Sequence, residues 1–222
     1  MIGPARFAPP SREGRKRRTQ FGKDLKRALR ERMKGAGWKM RDAWLFRERS
    51  GWFLDIMTIP HGGEPRTLVY LHIKPMALDE VYWEIAGLSE NKAAPLSLRA
   101  DGAFVCRVPP VRERWIDDAN HSRDCADRIA EFVEAEVPPS LRQFETQSYS
   151  SWLASRARMG ACLSSESLVC ALTAEGDLRG AAQLAEDIRS GKQRYLGIRT
   201  RFAEGDFISL ARDWLAARLT AN

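Results

Sequence analysis

Between Thr67 and Lys74 apolar and polar side chains alternate without a break. Val69, Leu71 and Ile73 fall on one face and Tyr70, His72 and Lys74 on the other. A strand points successive side chains to opposite faces, so this period of two specifies an antiparallel sheet with one packed and one wet surface. Trp44 to Arg49, the pair Ser50-Gly51, and Trp52 to Ile59 read as a β-hairpin, because glycine takes positive φ cheaply and the flanks are aromatic and β-branched. Leu96 to Arg99, the turn Asp101-Gly102, and Ala103 to Val108 read as a second hairpin ended by Pro109-Pro110. Leu78 to Leu88 fits either a short helix, with Val81, Ile85 and Leu88 on one stripe, or an edge strand.

Elsewhere the period is helical. Phe21, Leu25, Ala28, Leu29 and Met33 form an apolar stripe that starts after Thr19, a candidate N-cap, and stops at Gly35 and Gly37. Beyond the sheet, Ile116, Ala119, Ala126, Ile129, Ala130 and Val133 predict a helix stopped before Pro138-Pro139, and Leu141, Phe144, Trp152 and Leu153 a second from Ser140. Ala174-Glu175-Gly176-Asp177 returns as Ala203-Glu204-Gly205-Asp206. In each copy the glycine would end one helix and the aspartate cap the next, through descent of a helical array or coincidental capping.

Strands followed by helices predict an α+β fold: an N-terminal amphipathic helix, an antiparallel β-meander of about five strands, then a helical C-terminal half. The division expected is a disordered basic tail over 1–18, helix plus sheet over 19–112 and a helical region over 113–222. No apolar run approaches the ~18–20 residues of a spanning helix, and no secretory signal is visible at the N-terminus. A cytoplasmic protein without a membrane partner is expected. Cys106, Cys125, Cys162 and Cys170 contain no C-x-x-C pair, which suits reduced structural thiols.

The formal charge of +7 divides unevenly. Residues 1–50 hold 16 basic and 5 acidic side chains, and residues 51–222 hold 20 and 24. A cationic constellation of Arg15, Lys16, Arg17, Arg18, Lys23, Lys26, Arg27 and Arg30, continued by Lys34, could neutralise nucleic-acid phosphates. The alternative is a solubilising tail and a charged helix face, since no helix-turn-helix, zinc-finger or RNP-like motif accompanies it.

Over residues 21–86, the pattern Phe21-x-x-x-Leu25-x-x-x-Leu29, the step Gly35-Ala36-Gly37-Trp38-Lys39, and the strands Trp44-Leu45-Phe46-Arg47-Glu48 and Trp52-Phe53-Leu54-Asp55-Ile56 resemble a bacterial family of uncharacterised proteins. Some of its members look like immunity or interaction proteins. The resemblance implies a helix leading into an antiparallel meander, and a function in binding another protein. Seven tryptophans would serve such a surface if they lay on the wet face of the sheet, and the core if they did not.

Three further groups are candidates for chemistry. Asp55 interrupts an apolar strand; it is either a buried carboxylate of the kind found at sites or a wet-face residue paired with Arg47 or Arg49. Asp117, Asp118, His121, Asp124 and Cys125 have metal-ligand chemistry at helical spacing, but a metal would need a further ligand from elsewhere, and a surface histidine among acidic neighbours explains the same residues without one. His61-Gly62-Gly63 could present backbone N–H groups to an oxyanion or simply connect strands. P-loop, dinucleotide, zincin and nucleophile-elbow motifs are absent, so the sequence favours a binding protein over an enzyme and assigns no cofactor or metal.

Overall fold

The computed structural model describes residues 11–61, 66–100, 104–117, 121–158, 164–196 and 199–221. Helix α1 (Arg12–Lys34) is followed by strands β1 (Lys39–Arg41), β2 (Trp44–Arg49), β3 (Trp52–Pro60) and β4 (Arg66–Pro75). Next come α2 (Met76–Ile85), two 3₁₀ turns and β5 (Arg112–Asp117). The C-terminal half holds α3 (Ser122–Thr146), α4 (Tyr149–Arg158), α5 (Ser165–Ala174), α6 (Leu178–Arg189), the short strands β6 (Arg201–Phe202) and β7 (Gly205–Asp206), and α7 (Phe207–Ala221). The main sheet has the order β1-β2-β3-β4-β5, so the α+β class with a five-stranded antiparallel meander is the observed fold.

The first hairpin forms where expected. Ser50 and Gly51 both have positive φ, 52° and 80°, as a tight turn matched to the strand twist requires. In β4, Thr67, Val69, Leu71 and Ile73 are buried, which honours the alternation. It fails at Lys74, expected on the wet face but only 2% exposed.

The second hairpin is not formed. Leu96–Arg99 is a 3₁₀ turn, Phe104 to Pro110 takes no strand, and the expected turn Asp101-Gly102 and Ala103 lie outside the described residues. The two remaining strands are β1, pairing Met40 with Leu45, and β5, pairing Leu68 with Trp115. Ile116, expected to open a helix, is a buried β5 residue. The segment after Leu78 is the helix α2, which decides between its two readings. Residues 12–18, expected to be tail, are helical, because Ser11 rather than Thr19 is the cap and accepts from the Gly14 N–H at 3.0 Å. Helix α3 continues through Pro138 and Pro139. Each proline removes one N–H bond, but Val137 and Ser140 on either side are buried at 1% and 0%, so packing holds the helix across the pair.

The chain forms two compact units. The first comprises residues 1–47, 55–71 and 111–139, and the second 48–54, 72–110 and 140–222. In the first, Leu25, Leu29 and Met33 of α1 are buried together with Ile56, Val69, Leu71, Ile116, Ile129 and Val133. Arg32 ties α1 to α3 through Asp127 at 3.0 Å. In the second, Tyr82 stacks on Phe207 with ring centroids 4.5 Å apart, and Trp83, Val169, Ala181 and Leu215 complete the core. The echoed tetrapeptides are only half alike. Asp177 and Asp206 both cap, accepting from Gly180 N–H at 2.8 Å and Ser209 N–H at 3.0 Å. Gly176 follows α5, whereas Gly205 lies in the β6–β7 hairpin.

Candidate nucleic-acid interface

Helix α1 carries eleven basic and three acidic residues in 23 positions. Its buried stripe of Leu25, Ala28, Leu29 and Met33 fixes which way the rest must face. At about 100° per residue, Arg12, Lys16, Lys23, Arg27, Arg30 and Lys34 fall within roughly 60° of one another, on the side away from that stripe. All six are exposed. Glu13, Asp24 and Glu31 gather on one flank instead of interrupting the row, and Arg15 and Lys26 extend it on the other. With a rise of about 1.5 Å per residue the row spans about 33 Å.

Three of the flanking contacts are internal. Arg17 pairs with Glu13, Arg27 lies 3.8 Å from Asp24, and Asp24 also accepts from Gln20 at 3.0 Å. Arg12, Lys16, Lys23, Arg30 and Lys34 have no ion partner among the described residues. Arg18 turns inward. Its guanidinium donates to the His61 and Arg66 carbonyls and lies 4.8 Å from the Phe21 ring, so it anchors the helix to the β3–β4 connection. Of the eight cations singled out from the sequence, Lys16, Lys23, Arg27 and Arg30 form the central row and Arg15 and Lys26 border it. Arg17 pairs with Glu13 on the acidic flank, and Arg18 serves the fold. Arg12 lies outside a helix that starts at Thr19 and joins the row because Ser11 is the cap.

Asp55 is 7% exposed between Leu54 and Ile56, both at 0%. The wet-face reading is thereby corrected, and burial withdraws the carboxylate from any surface contact with a macromolecule. His121 is exposed just before α3 while Cys125 is buried, so imidazole and thiol do not share a surface; Asp118 lies outside the described residues. Among the described residues no group of three His, Cys, Asp or Glu is placed to hold a metal ion. His61 bonds through its N–H to the Arg66 carbonyl at 2.9 Å, and Gly62 and Gly63 lie outside the described residues. Cys106, Cys125 and Cys170 are buried thiols; Cys162 lies outside the described residues. Desolvation pushes the Cys170 thiol well above its ordinary range, with Cys106 beside it adding to the effect.

The tryptophans give no contiguous partner surface. Trp38, Trp83 and Trp152 are buried, and Trp44, Trp52 and Trp214 are half-buried. Trp115 alone is exposed, with the Arg66 guanidinium 4.3 Å from its ring.

Two buried polar networks in the second unit had no sequence signature. Asp79 accepts from Lys74 Nζ at 2.9 Å, the Cys106 N–H at 2.8 Å and Arg99 Nη1 at 3.3 Å. Lys74 also donates to the Cys106 and Arg99 carbonyls, and Arg99 to the Met76 carbonyl and Glu80. Glu166 accepts from the Tyr195 hydroxyl at 2.8 Å and from the Thr200 N–H and hydroxyl, both at 2.9 Å. Every charge in these networks has a counter-charge or several donors, which is what burial demands of a structural group. Apart from Lys74 and Asp79, they join residues 19 to 34 positions apart, a separation no local pattern reveals.

No family model, curated protein or solved structure matches this chain. No helix among the described residues is long and apolar enough to cross a membrane.

Proposed function

We propose that this protein binds nucleic acid through the phosphate backbone, along the solvent face of α1. The observation that carries the reading is the row of six exposed cations, with acidic residues confined to one flank. Its length of about 33 Å is close to one turn of B-form DNA. Such a row suits backbone contact without base reading, because Lys and Arg side chains along a helix give affinity and orientation while sequence is read by groups aimed at base edges.

Fluorescence anisotropy with labelled 20-nucleotide single strands and 20-base-pair duplexes, across a salt series, tests it. Neutralising six phosphates gives a log–log salt slope of about −5 on duplex, and Lys23→Ala with Arg30→Ala reduces the magnitude by about 2. A slope shallower than −1, or one that the double variant leaves unchanged, overturns the reading. A protein partner, the function implied by the resemblance over residues 21–86, is the competing proposal. It predicts affinity for one protein that survives loss of Lys23 and Arg30.

A further inference from the structure

The second unit contains a cavity of about 660 Å³ that the α1 reading does not use. This size lies within the ordinary range for small-molecule sites, roughly 300–1,000 Å³. One side is aromatic: Trp52 and Phe144 stack with centroids 5.1 Å apart, and Tyr149 meets Phe144 edge-on at 5.1 Å. The Tyr149 ring is fixed by its hydroxyl, which donates to the Ile73 carbonyl at 2.7 Å. Glu175 and Asp177 line the cavity with their carboxyl groups, and among the described residues no Lys, Arg or His contributes to its lining.

We propose that this cavity binds a small organic cation of the guanidinium, amidinium or quaternary-ammonium class. An aromatic wall attracts such a cation through the negative faces of its rings. The two carboxylates supply the counter-charge, in a chain whose formal charge is +7 with both of them included. An anion would meet both carboxylates with no cation to offset them, and a neutral apolar ligand would bury them without compensation.

Each carboxylate already has a structural duty that holds it in place. Glu175 accepts from the Ser150 N–H at 3.0 Å and from the Ser150 hydroxyl at 2.5 Å. Asp177 accepts from the Gly180 N–H at 2.8 Å through one oxygen, as the cap of α6. A carboxylate has about four acceptor positions, so these bonds orient the groups and leave lone pairs for a ligand. The α5–α6 turn that carries them is set by Gly176, whose φ of +85° suits glycine.

Isothermal titration of the full chain with benzamidinium chloride is the test, with benzyl alcohol as the neutral comparator and benzoate as the anionic one. Saturable one-to-one binding of benzamidinium, at least about tenfold tighter than either comparator, is expected. Asp177→Asn separates ligand binding from folding, because asparagine caps a helix as well as aspartate. That variant keeps its melting temperature and binds benzamidinium about tenfold more weakly, as does Trp52→Leu. A second arm compares free agmatine with acetyl-arginine amide; whichever binds more tightly identifies a free amine or a peptide side chain as the source of the cation. Equal affinity for benzamidinium and benzyl alcohol, no saturation by 10 mM as an order-of-magnitude ceiling for such small ligands, or unchanged affinity in Asp177→Asn each overturns the proposal.

Discussion

Replacing Asp79 by alanine removes the one carboxylate that Lys74, Arg99 and the Cys106 N–H share, at a position with no solvent access. Lys74 is left as a 2%-exposed ammonium that keeps the Arg99 and Cys106 carbonyls and the Phe53 ring 5.4 Å away, with no counter-charge among the described residues. Arg99, 6% exposed, keeps Glu80 at 3.2 Å and the Met76 carbonyl at 2.7 Å. Breaking one side of a buried ion pair typically costs about 3–5 kcal/mol, and an orphaned amide about 1–3 kcal/mol more where nothing relaxes. Because the retained carbonyls and Glu80 offset part of this, the loss expected is about 4 kcal/mol, a large fraction of a total in the range of roughly 5–15 kcal/mol. Urea unfolding followed by tryptophan fluorescence reads it as a midpoint shift of about 1–2 M. Lys74→Met combined with Asp79→Leu removes both charges and recovers at least about half of the loss, since a well-packed apolar pair replaces a buried ion pair at little cost. Asp79→Ala within about 1 kcal/mol of the parent, at unchanged denaturant slope, would refute the assignment of the network as a structural keystone.

Three other outcomes follow from local geometry. Burial raises the phenols of Tyr82 and Tyr195, and Glu166 raises that of Tyr195 further. The Cys170 thiol is also raised. A group raised on folding stays protonated in the folded chain while the unfolded chain ionises, so stability is full below about pH 8.5 and declines as pH rises through the ordinary thiol and phenol values. Tyr195→Phe flattens that alkaline decline in urea titrations repeated from pH 8 to pH 11, and an unchanged slope counts against it. Ser11→Ala removes the cap on Gly14; about 1 kcal/mol of helix-end stability goes, seen as faster amide exchange at the first turn of α1 with the global midpoint unmoved. Gly176→Ala meets no atom within 4 Å, so its cost of about 1 kcal/mol comes from the backbone at φ +85° alone, and Gly176→Asn is milder.

Where a residue's neighbours in sequence are also its neighbours in space, the pattern was readable. The alternation of β4, the Ser50-Gly51 turn and the apolar stripe of α1 are local, and the structure follows them. Arg99 and Cys106 fall in the two strands expected of the second hairpin, but both are drawn to Asp79, whose partners lie up to 27 positions away. Lys74 breaks the alternation of β4, because the buried carboxylate of Asp79 holds its ammonium. The cationic row of α1 was legible as charge, yet its alignment depended on where the helix begins. Moving the start from Thr19 to Arg12 adds nearly two turns and turns scattered cations into a row.

Each compact unit is assembled from three separate stretches of chain, and their order has a consequence for synthesis. The last stretch of the first unit ends at residue 139, so a nascent chain holds every part of that unit once this point clears the ribosome. The second unit needs residues 140–222, although Phe53, Leu54, Tyr82 and Trp83 of its core were made long before. At about 5–20 residues per second, residues 140–222 take roughly 4–17 s to make. During that interval the early part of the second core lacks the helices α4 to α7, and its apolar side chains stay open to solvent, the condition in which nascent chains are prone to associate wrongly.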